Sequence, residues 1–377
     1  MSRVILKFGR EASVLRRHPW IFSGAIAQFP PCEPGEIFPV YSSDSKFLAS
    51  AYFHPKNSIA GRILSFGDEN ALTAFSRNLN QACDLRKDAA CRLINAEGDF
   101  LPGLIVDRYN DVLVLQISTY GMERLREHIV SFLIQRFKPH MIYEKSLSAA
   151  RREEGLKDFE GVIHGETVPE VTIEENGVRH IVPIIEGQKT GFFLDQREMR
   201  YKIQTLSAGK RVLNCFAYTG GFGRAALYGG ASLVDNVEIS KDICELAVKN
   251  NPDPSKFYYH CADVFDFLKK SPLNYDIVIL DPPAFVKKKS DLHAACGAYK
   301  ELNRLVMGKV PSGTILLTSS CSSYMEVNLF QNLIAQAGAE CHRNVRILGK
   351  HSQATDHPIS LYHPEGDYLK SLFLHLT

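Results

Sequence analysis

Two short stretches of this sequence carry side chains able to do chemistry together. "YDIVILDPPAF" ends an apolar run on Asp281, followed by Pro282 and Pro283, and "GTILLTSSCSSYM" ends a second run with Cys321 just beyond it. Proline fixes φ and lacks a donor, so two in succession make a rigid turn with exposed carbonyls. A carboxylate on such a turn accepts hydrogen bonds from a bound amine or, when protonated, holds a ring nitrogen. A cysteine past a neighbouring strand offers a nucleophile once it is a thiolate. An ordinary thiol, with a pKa near ~8.5, needs nearby positive charge for that. Lys189, Arg197 and Lys287 are candidates by motif position, while the plain structural reading of Cys321 is a small residue closing the strand.

These residues belong to a region, from about 178 onward, in which strands alternate with helices. The strands expected are "RVLNCF", "SLVDNVEIS", "FYYHCA", "YDIVILD", "GTILLTSS", "NVRILGK" and "YLKSLFLHLT". Stretches such as "FGRAALYGG", "KDICELAVKNN", "DVFDFLKK" and "EVNLFQNLIAQAG" supply helices between them. This is the pattern of a doubly wound α/β domain, a Rossmann-like seven-stranded and mostly parallel sheet, with ligands beyond the carboxyl ends of its strands. No helix separates the last two strands, which predicts an antiparallel hairpin at the sheet edge.

The first strand runs into a glycine-rich loop, "RVLNCFAYTGGFG", at 211–223. "GFGRAA" fits the G-x-G-x-x-G/A dinucleotide pattern. However, "NCFAYT" separates the strand from Gly220, whereas pyrophosphate binding wants the first glycine almost at once. A longer loop suits a cofactor whose carboxylate and amine need several backbone partners, and S-adenosylmethionine has that shape. Glu238, ending the second strand, is placed to accept from both ribose hydroxyls, a device that nicotinamide enzymes share. Asp263 stands at a helix start, where it caps the helix, accepts from an adenine amino group, or does both. The Asp-Pro-Pro turn, for which a hydride-transfer enzyme has no use, favours a methyltransferase.

The rest of the chain reads as two further domains. Residues 1–69 alternate in short apolar runs broken by turns, as in a small β-barrel, and 72–175 mix helices and strands. Within the latter, "GMERLREHIVSFLIQRF" is expected as one long amphipathic helix, "VTIEENGVRHIVPII" as a hairpin across Asn-Gly, and Asp107–Arg108 as a surface turn pair. Trp20 reads as a packing anchor ahead of a base-stacking platform. Such a division fits 377 residues, since a single core stops growing near ~250–300. With 45% hydrophobic and 23% charged residues the composition is that of a globular protein, and a net charge of +2 does not by itself establish a nucleic-acid partner. No stretch approaches the ~18–20 apolar residues of a membrane span, and "MSRVILKFGREASVLRRHPW" has no signal-peptide core. Nine scattered cysteines without a Cys-x-x-Cys pair point to neither disulfides nor a metal site. The expectation is a cytoplasmic protein without metal.

Two acceptor atoms compete. "DPPAF" resembles the motif of enzymes that methylate exocyclic amines of bases, with Phe285 stacked on the base. Cys321 instead suits carbon 5 of cytosine, which is too weak a nucleophile until a thiolate adds at carbon 6. "GQKTGFFLDQREMR", "VLNCFAYTGGFG", "DPPAFVKKKSDL", "SSCSSYM" and "DHPISLYHPEGDYLK" together resemble the RlmI-type methyltransferases of 23S ribosomal RNA, which act on that carbon. "LRRHPWIFSGAI" and "PGEIFPVY" resemble the family's PUA domain, a small RNA-binding barrel. The resemblance spans nearly the whole chain.

It implies a PUA barrel (1–69), an α+β domain (72–175) and a class I methyltransferase domain (178–377) using S-adenosyl-L-methionine. Cofactor contacts are implied at Asn214, Phe216, Tyr218, Thr219, Gly221, Glu238, Asp263 and Asp281, with Cys321 as nucleophile. Gln188, Lys189, Thr190, Phe193 and Asp195 would wrap the cofactor or position RNA, unless their stretch is only a structural joint. Arg16, Arg17, Lys287 and Lys288 are candidates for phosphate. The implied substrate is 23S ribosomal RNA or a partly assembled large subunit, and a homodimer is compatible with the family. Position 284 departs from the pattern, being alanine where the family usually has lysine, and no second cysteine follows the prolines.

Overall fold

In the computed structural model, which describes residues 2–286 and 289–377, the chain gathers into two compact units. Met1–Ile173, Val182–Leu194 and Thr355–Gly366 make the first, and Glu174–Ile181, Asp195–Ala354 and Asp367–Thr377 the second. Among the described residues no helix is long and apolar enough to cross a membrane.

The first unit holds two sheets, one from each of the stretches expected as separate domains. Residues 4–66 contribute six strands, in the spatial order Trp20–Phe22, Ile59–Phe66, Phe47–Phe53, Glu36–Tyr41, Val4–Leu6, Ile26–Gln28. Their inward residues, Val4, Leu6, Val40, Ala49, Ala51, Phe53 and Ile63, form one core. Five more strands follow in the order Phe159–Gly165, Met141–Ser146, Val112–Ile117, Leu104–Tyr109, Ala90–Asn95. The helix expected from "GMERLREHIVSFLIQRF" is broken in two, Tyr120–Arg124 and Arg126–Phe137, with Leu125 at φ −93°, ψ 4° between them. Thr119 caps the first piece by accepting from Met122 N.

Asp107 is not a surface residue. It is fully buried, takes Arg92 in two hydrogen bonds of 2.8 and 2.9 Å, and accepts 2.6 Å from the Thr190 hydroxyl. Its inward position in Leu104–Tyr109 carries it there, a placement that the adjacent Asn-Asp turn disguises in sequence. Trp20 is half-buried, its indole N–H donating 2.9 Å to Glu97 and its ring 4.5 Å from that of His363, which bears out the packing role.

The second unit is built on seven strands: β1 (Arg211–Cys215), β2 (Leu233–Glu238), β3 (Phe257–Cys261), β4 (Ile277–Leu280), β5 (Ile315–Ser320), β6 (Val345–His351) and β7 (Lys370–Leu376). Its helices are α1 (Arg197–Leu206), α2 (Gly221–Tyr228), α3 (Lys241–Lys249), α4 (Val264–Lys270), α5 (Leu292–Met307) and α6 (Val327–Glu340). The order is β3-β2-β1-β4-β5-β7-β6. β1 to β5 run parallel to one another, and β7 is antiparallel to both of its neighbours, β5 and β6. The chain moves outward from β1 to β3 and then returns to β4 on the other side. That reversal opens a crevice beyond the carboxyl ends of β1 and β4, where such sheets take ligands.

Alternation along the strands feeds two cores. Val212, Ile277 and Ile279 pack with Met199 and Ile203 of α1 and Phe222 and Ala226 of α2. Leu213, Cys215, Val278 and Leu280 face Leu268, Tyr299, Leu302, Phe330 and Ile334 on α4, α5 and α6. Burial on both faces is why these strands read as unbroken apolar runs. The last two strands pair antiparallel at the edge of the sheet, as expected, with β6 outermost and β7 between it and β5. β7 is accordingly buried at all but one position, whereas β6 is half-buried or exposed throughout. In addition, α5, which the sequence pattern did not single out, is a helix of 16 residues set between β4 and β5.

At the base of this unit Glu175 takes Arg200 of α1 in two bonds of 2.6 and 2.7 Å, both side chains buried. Burial alone would raise the Glu175 pKa, but the charge and hydrogen bonds of Arg200, with His180 and Arg197, outweigh it and leave it lowered. A lowered carboxyl contributes stability above the usual glutamate range and loses that contribution as pH falls through its folded value. Glu175→Gln should therefore cost about 3–5 kcal/mol by leaving Arg200 buried without its anion. In denaturant titrations, the gap between variant and parent should close as pH falls through the acid range.

Candidate active site

The loop after β1 is shaped by backbone bonds. Ala217 N donates to Val237 O (3.0 Å) and Gly220 N to Ala217 O (2.8 Å). Phe216, Tyr218 and Gly220 stand at φ +58°, +48° and +79°, so the chain alternates into the left-handed region and turns its amides inward. At Gly220 only glycine fits, because a Cβ there would lie 2.2 Å from the Tyr259 hydroxyl. Glu238, buried at the end of β2, accepts from Tyr218 N through one oxygen and from Ser240 N through the other, both at 2.9 Å. A carboxylate oxygen takes roughly two hydrogen bonds, so each retains a site for a hydroxyl. A ribose diol therefore fits this carboxylate, and a carboxylate and amine fit the loop.

Thr219 is buried, and Gly221 opens α2. Asn214 is buried within the sheet, its amide donating 2.9 Å to Asn236 Oδ1. Asp263 caps α4, accepting 3.0 Å from Asp266 N.

Asp281 and Cys321 come together. β4 and β5 are neighbours with Leu280 opposite Thr318, and each residue lies just past its strand end. Asp281 and Cys321 are both half-buried, and the Cys321 thiol donates to Pro282 O across 3.8 Å. The two loops are tied by hydroxyls. Ser322 Oγ accepts from Val286 N (3.3 Å) and lies 3.1 Å from the Tyr299 hydroxyl, which accepts from Ser320 at 2.9 Å. Burial raises the Tyr299 pKa, so it acts here as a neutral phenol. Phe285 packs with Tyr299 (centroids 4.8 Å apart), Phe265 and Phe216, walling the pocket beside the β1 loop. Tyr299 does not stand out in sequence, because α5 carries no motif, whereas Ser320 and Ser322 flank Cys321 in the "SSCSSYM" stretch.

The other expected site residues lie apart from this cluster or outside it. Gln188, Lys189, Thr190 and Phe193 belong to the first unit. There Lys145 donates to the carbonyls of Ile184 (3.0 Å), Ile185 (2.8 Å) and Gly187 (2.5 Å), and Thr190 to Asp107, fixing the stretch. Lys189 sits 4.5 Å from the centre of the Phe193 ring, while Gln188 is exposed. Asp195, in the second unit, accepts 2.7 Å from the Tyr368 hydroxyl. Arg16 and Arg17 are exposed, the latter 4.8 Å from the Phe66 ring centre and 5.7 Å from that of Tyr362. Lys287 and Lys288 lie outside the described residues. Of the cations named for Cys321, Arg197 pairs with Glu175 at 3.5 Å, Lys189 is in the other unit, and Lys287 is not described.

The sheet order and the crevice at its reversal, with a carboxylate able to accept a diol at the end of β2, are those of an S-adenosylmethionine-dependent methyltransferase. A family model of that description matches residues 156–342, and a PUA-like domain model matches residues 4–66. A solved chain from Streptococcus mutans, provisionally assigned as a SAM-dependent methyltransferase, superposes with a TM-score of 0.84 at 26% identity, covering 99% of this chain and 100% of its own. A provisionally assigned methyltransferase complexed with SAH gives 0.85 at 25%, with the same coverage. More specifically, the chain belongs to the ribosomal RNA large subunit methyltransferase I family. The relative of that name from Aliivibrio fischeri is 42% identical over 385 residues, spanning 97% of each chain.

The geometry at Gly220 generates a direct test. Gly220→Ala places a methyl against Tyr259 and forces a left-handed alanine, at a cost of about 1–2 kcal/mol. Calorimetry should show S-adenosylhomocysteine binding weakened by roughly tenfold or more, with the melting temperature only modestly lowered.

Proposed function

We propose that this enzyme methylates carbon 5 of a cytosine in large-subunit ribosomal RNA, in the cytoplasm, through a transient cysteine adduct. The observation that carries this reading is the approach of the Cys321 sulfur to the Pro282 carbonyl, which sets a nucleophile beside the Asp-Pro-Pro turn. Methylation of an amine has no use for it. The rRNA substrate follows the printed name of the 42% identical relative.

When bound, S-adenosylmethionine supplies an electrophilic methyl group. Glu238 takes the ribose hydroxyls, the loop through Phe216, Tyr218, Thr219 and Gly221 meets the amino-acid end, and Asp263 keeps an oxygen for adenine beside its capping bond. Asn214 serves from inside the sheet, where its amide is tied to Asn236. Asp281 holds ring nitrogen 3 of the cytosine through a shared proton, which neutralises the charge formed on addition. The Cys321 thiolate forms a bond to carbon 6, the ring electrons make carbon 5 nucleophilic, and carbon 5 would take the methyl as its bond to the cofactor sulfur breaks and S-adenosylhomocysteine leaves. Loss of the carbon 5 proton returns those electrons, breaks the sulfur–carbon bond and restores aromaticity. Phe285 is committed to Tyr299 and its neighbours, which gives it a wall's role rather than that of a base-stacking platform.

RNA is gripped by the PUA-like residues 1–69, where Arg16 and Arg17 offer phosphate contacts. Such contacts make log affinity fall with log salt, by roughly 0.7 per phosphate neutralised on a single strand. The 184–194 stretch, held by Lys145, presents Gln188 and Lys189 to RNA or cofactor. The chemistry is the same for a monomer and a homodimer.

Cys321→Ala should abolish turnover while leaving S-adenosylhomocysteine binding intact, and RNA carrying 5-fluorocytosine should trap a covalent adduct with the parent enzyme. Turnover surviving in the alanine variant would support amine methylation instead, and binding of RNA without any turnover in the parent would support an assembly factor.

A further inference from the structure

A cation beside the loop that carries Cys321 comes from β7, a strand that carries none of the residues discussed so far. In the β5/β7 pair Ser320 stands directly opposite Lys370, which sets the lysine beside the residue that follows Ser320. Its ammonium donates to Ser322 O (3.0 Å) and Tyr368 O (2.9 Å). Two of its three hydrogens are thereby accounted for, and the nitrogen is fixed against the loop that holds the thiol. The Tyr368 side chain is itself anchored, donating to Asp195. The arrangement is a fixed charge on a rigid mount rather than a flexible surface lysine.

We infer that Lys370 is a positioning residue for the reaction, its ammonium holding Cys321 in the thiolate form that adds to the pyrimidine. The inference rests on the reading of Cys321 as nucleophile. The thiol proton passes to solvent, the freed sulfur pair forms the bond to carbon 6, and Lys370 keeps its proton throughout. Burial lowers the Lys370 pKa, while Asp367 and Cys321 favour its charged form. Such coupling is reciprocal, so the lysine charge favours the thiolate in turn. Among the described residues, Tyr299 on α5, kept neutral by burial, also interacts with the sulfur, and Asp281 stands on the neighbouring loop, where its carboxylate opposes the thiolate when ionised.

The test is the pH dependence of Cys321 alkylation by iodoacetamide in the full-length protein, followed on the Cys321 peptide by mass spectrometry. In the parent the midpoint should lie clearly below the ~8.5 of an ordinary thiol. Lys370→Met should raise it by about one unit, slowing alkylation roughly tenfold at pH 7, and the acid limb of the kcat/KM profile should move the same way. Lys370→Arg should restore most of the shift, and S-adenosylhomocysteine affinity should be unchanged in both. A parent midpoint at or above the ordinary value, or an unmoved midpoint in Lys370→Met, overturns the inference. If the methionine variant does not fold, the parent midpoint and Lys370→Arg decide the matter. Failure of the nucleophile reading looks different, with Cys321→Ala turning over normally while the parent's midpoint is still depressed.

Discussion

One hydroxyl sets the relation between the two loops of the active site. Ser322 Oγ receives Val286 N from the loop after β4 and lies within hydrogen-bond distance of the Tyr299 phenol, in the middle of α5. The strand pairing itself ends at Leu280 and Thr318, so this knot, with the Cys321 contact to Pro282, ties the loops beyond it. Neutral hydroxyls suit the task, because each donates and accepts and none brings a charge to compete with the thiol or the carboxylate. Buried polar networks of this kind are favourable only when every member is satisfied, and then they specify one geometry.

The loop after β1 uses another means to the same end. Phe216 and Tyr218 hold positive φ without being glycine, a conformation costing of order 1–3 kcal/mol at each position. The strain is offset by the Ala217 bond to Val237 and the Tyr218 bond to Glu238. The same Glu238 bond that orders the loop also orients the carboxylate, so the loop and the strand end are fixed relative to one another. Backbone bonds on the β1 side of the crevice and hydroxyl bonds on the β5 side thus act alike, and preorganisation of this kind is what restricts bound reactants in a site.

The sequence disclosed what depends on local pattern and concealed what depends on partners. The strand periodicity, the glycine loop, Glu238, Asp281 and Cys321 were all legible, since each marks a strand end in a parallel sheet. Asp107 was misread because two polar residues beside an Asn-Asp turn look like a surface, and only its pairing with Arg92 and Thr190 shows why it is buried. Lys145 and Lys370 were invisible for the same reason, as their roles are defined by carbonyls on other segments. The edge hairpin of β6 and β7 was legible, but not which strand is inserted beside β5; burial of nearly every side chain on β7 goes with that place.

That insertion has a consequence for how the molecule comes into being. β5 and β7 are separated by roughly fifty residues of chain, including a detour whose middle, Thr355–Gly366, is incorporated in the other unit. Closing that loop carries an entropic cost, which the buried side chains of β7 offset. Lys370 stands beside the residues after β5 only through this pairing. The charge partner inferred for the sulfur at position 321 is therefore a property of the completed sheet.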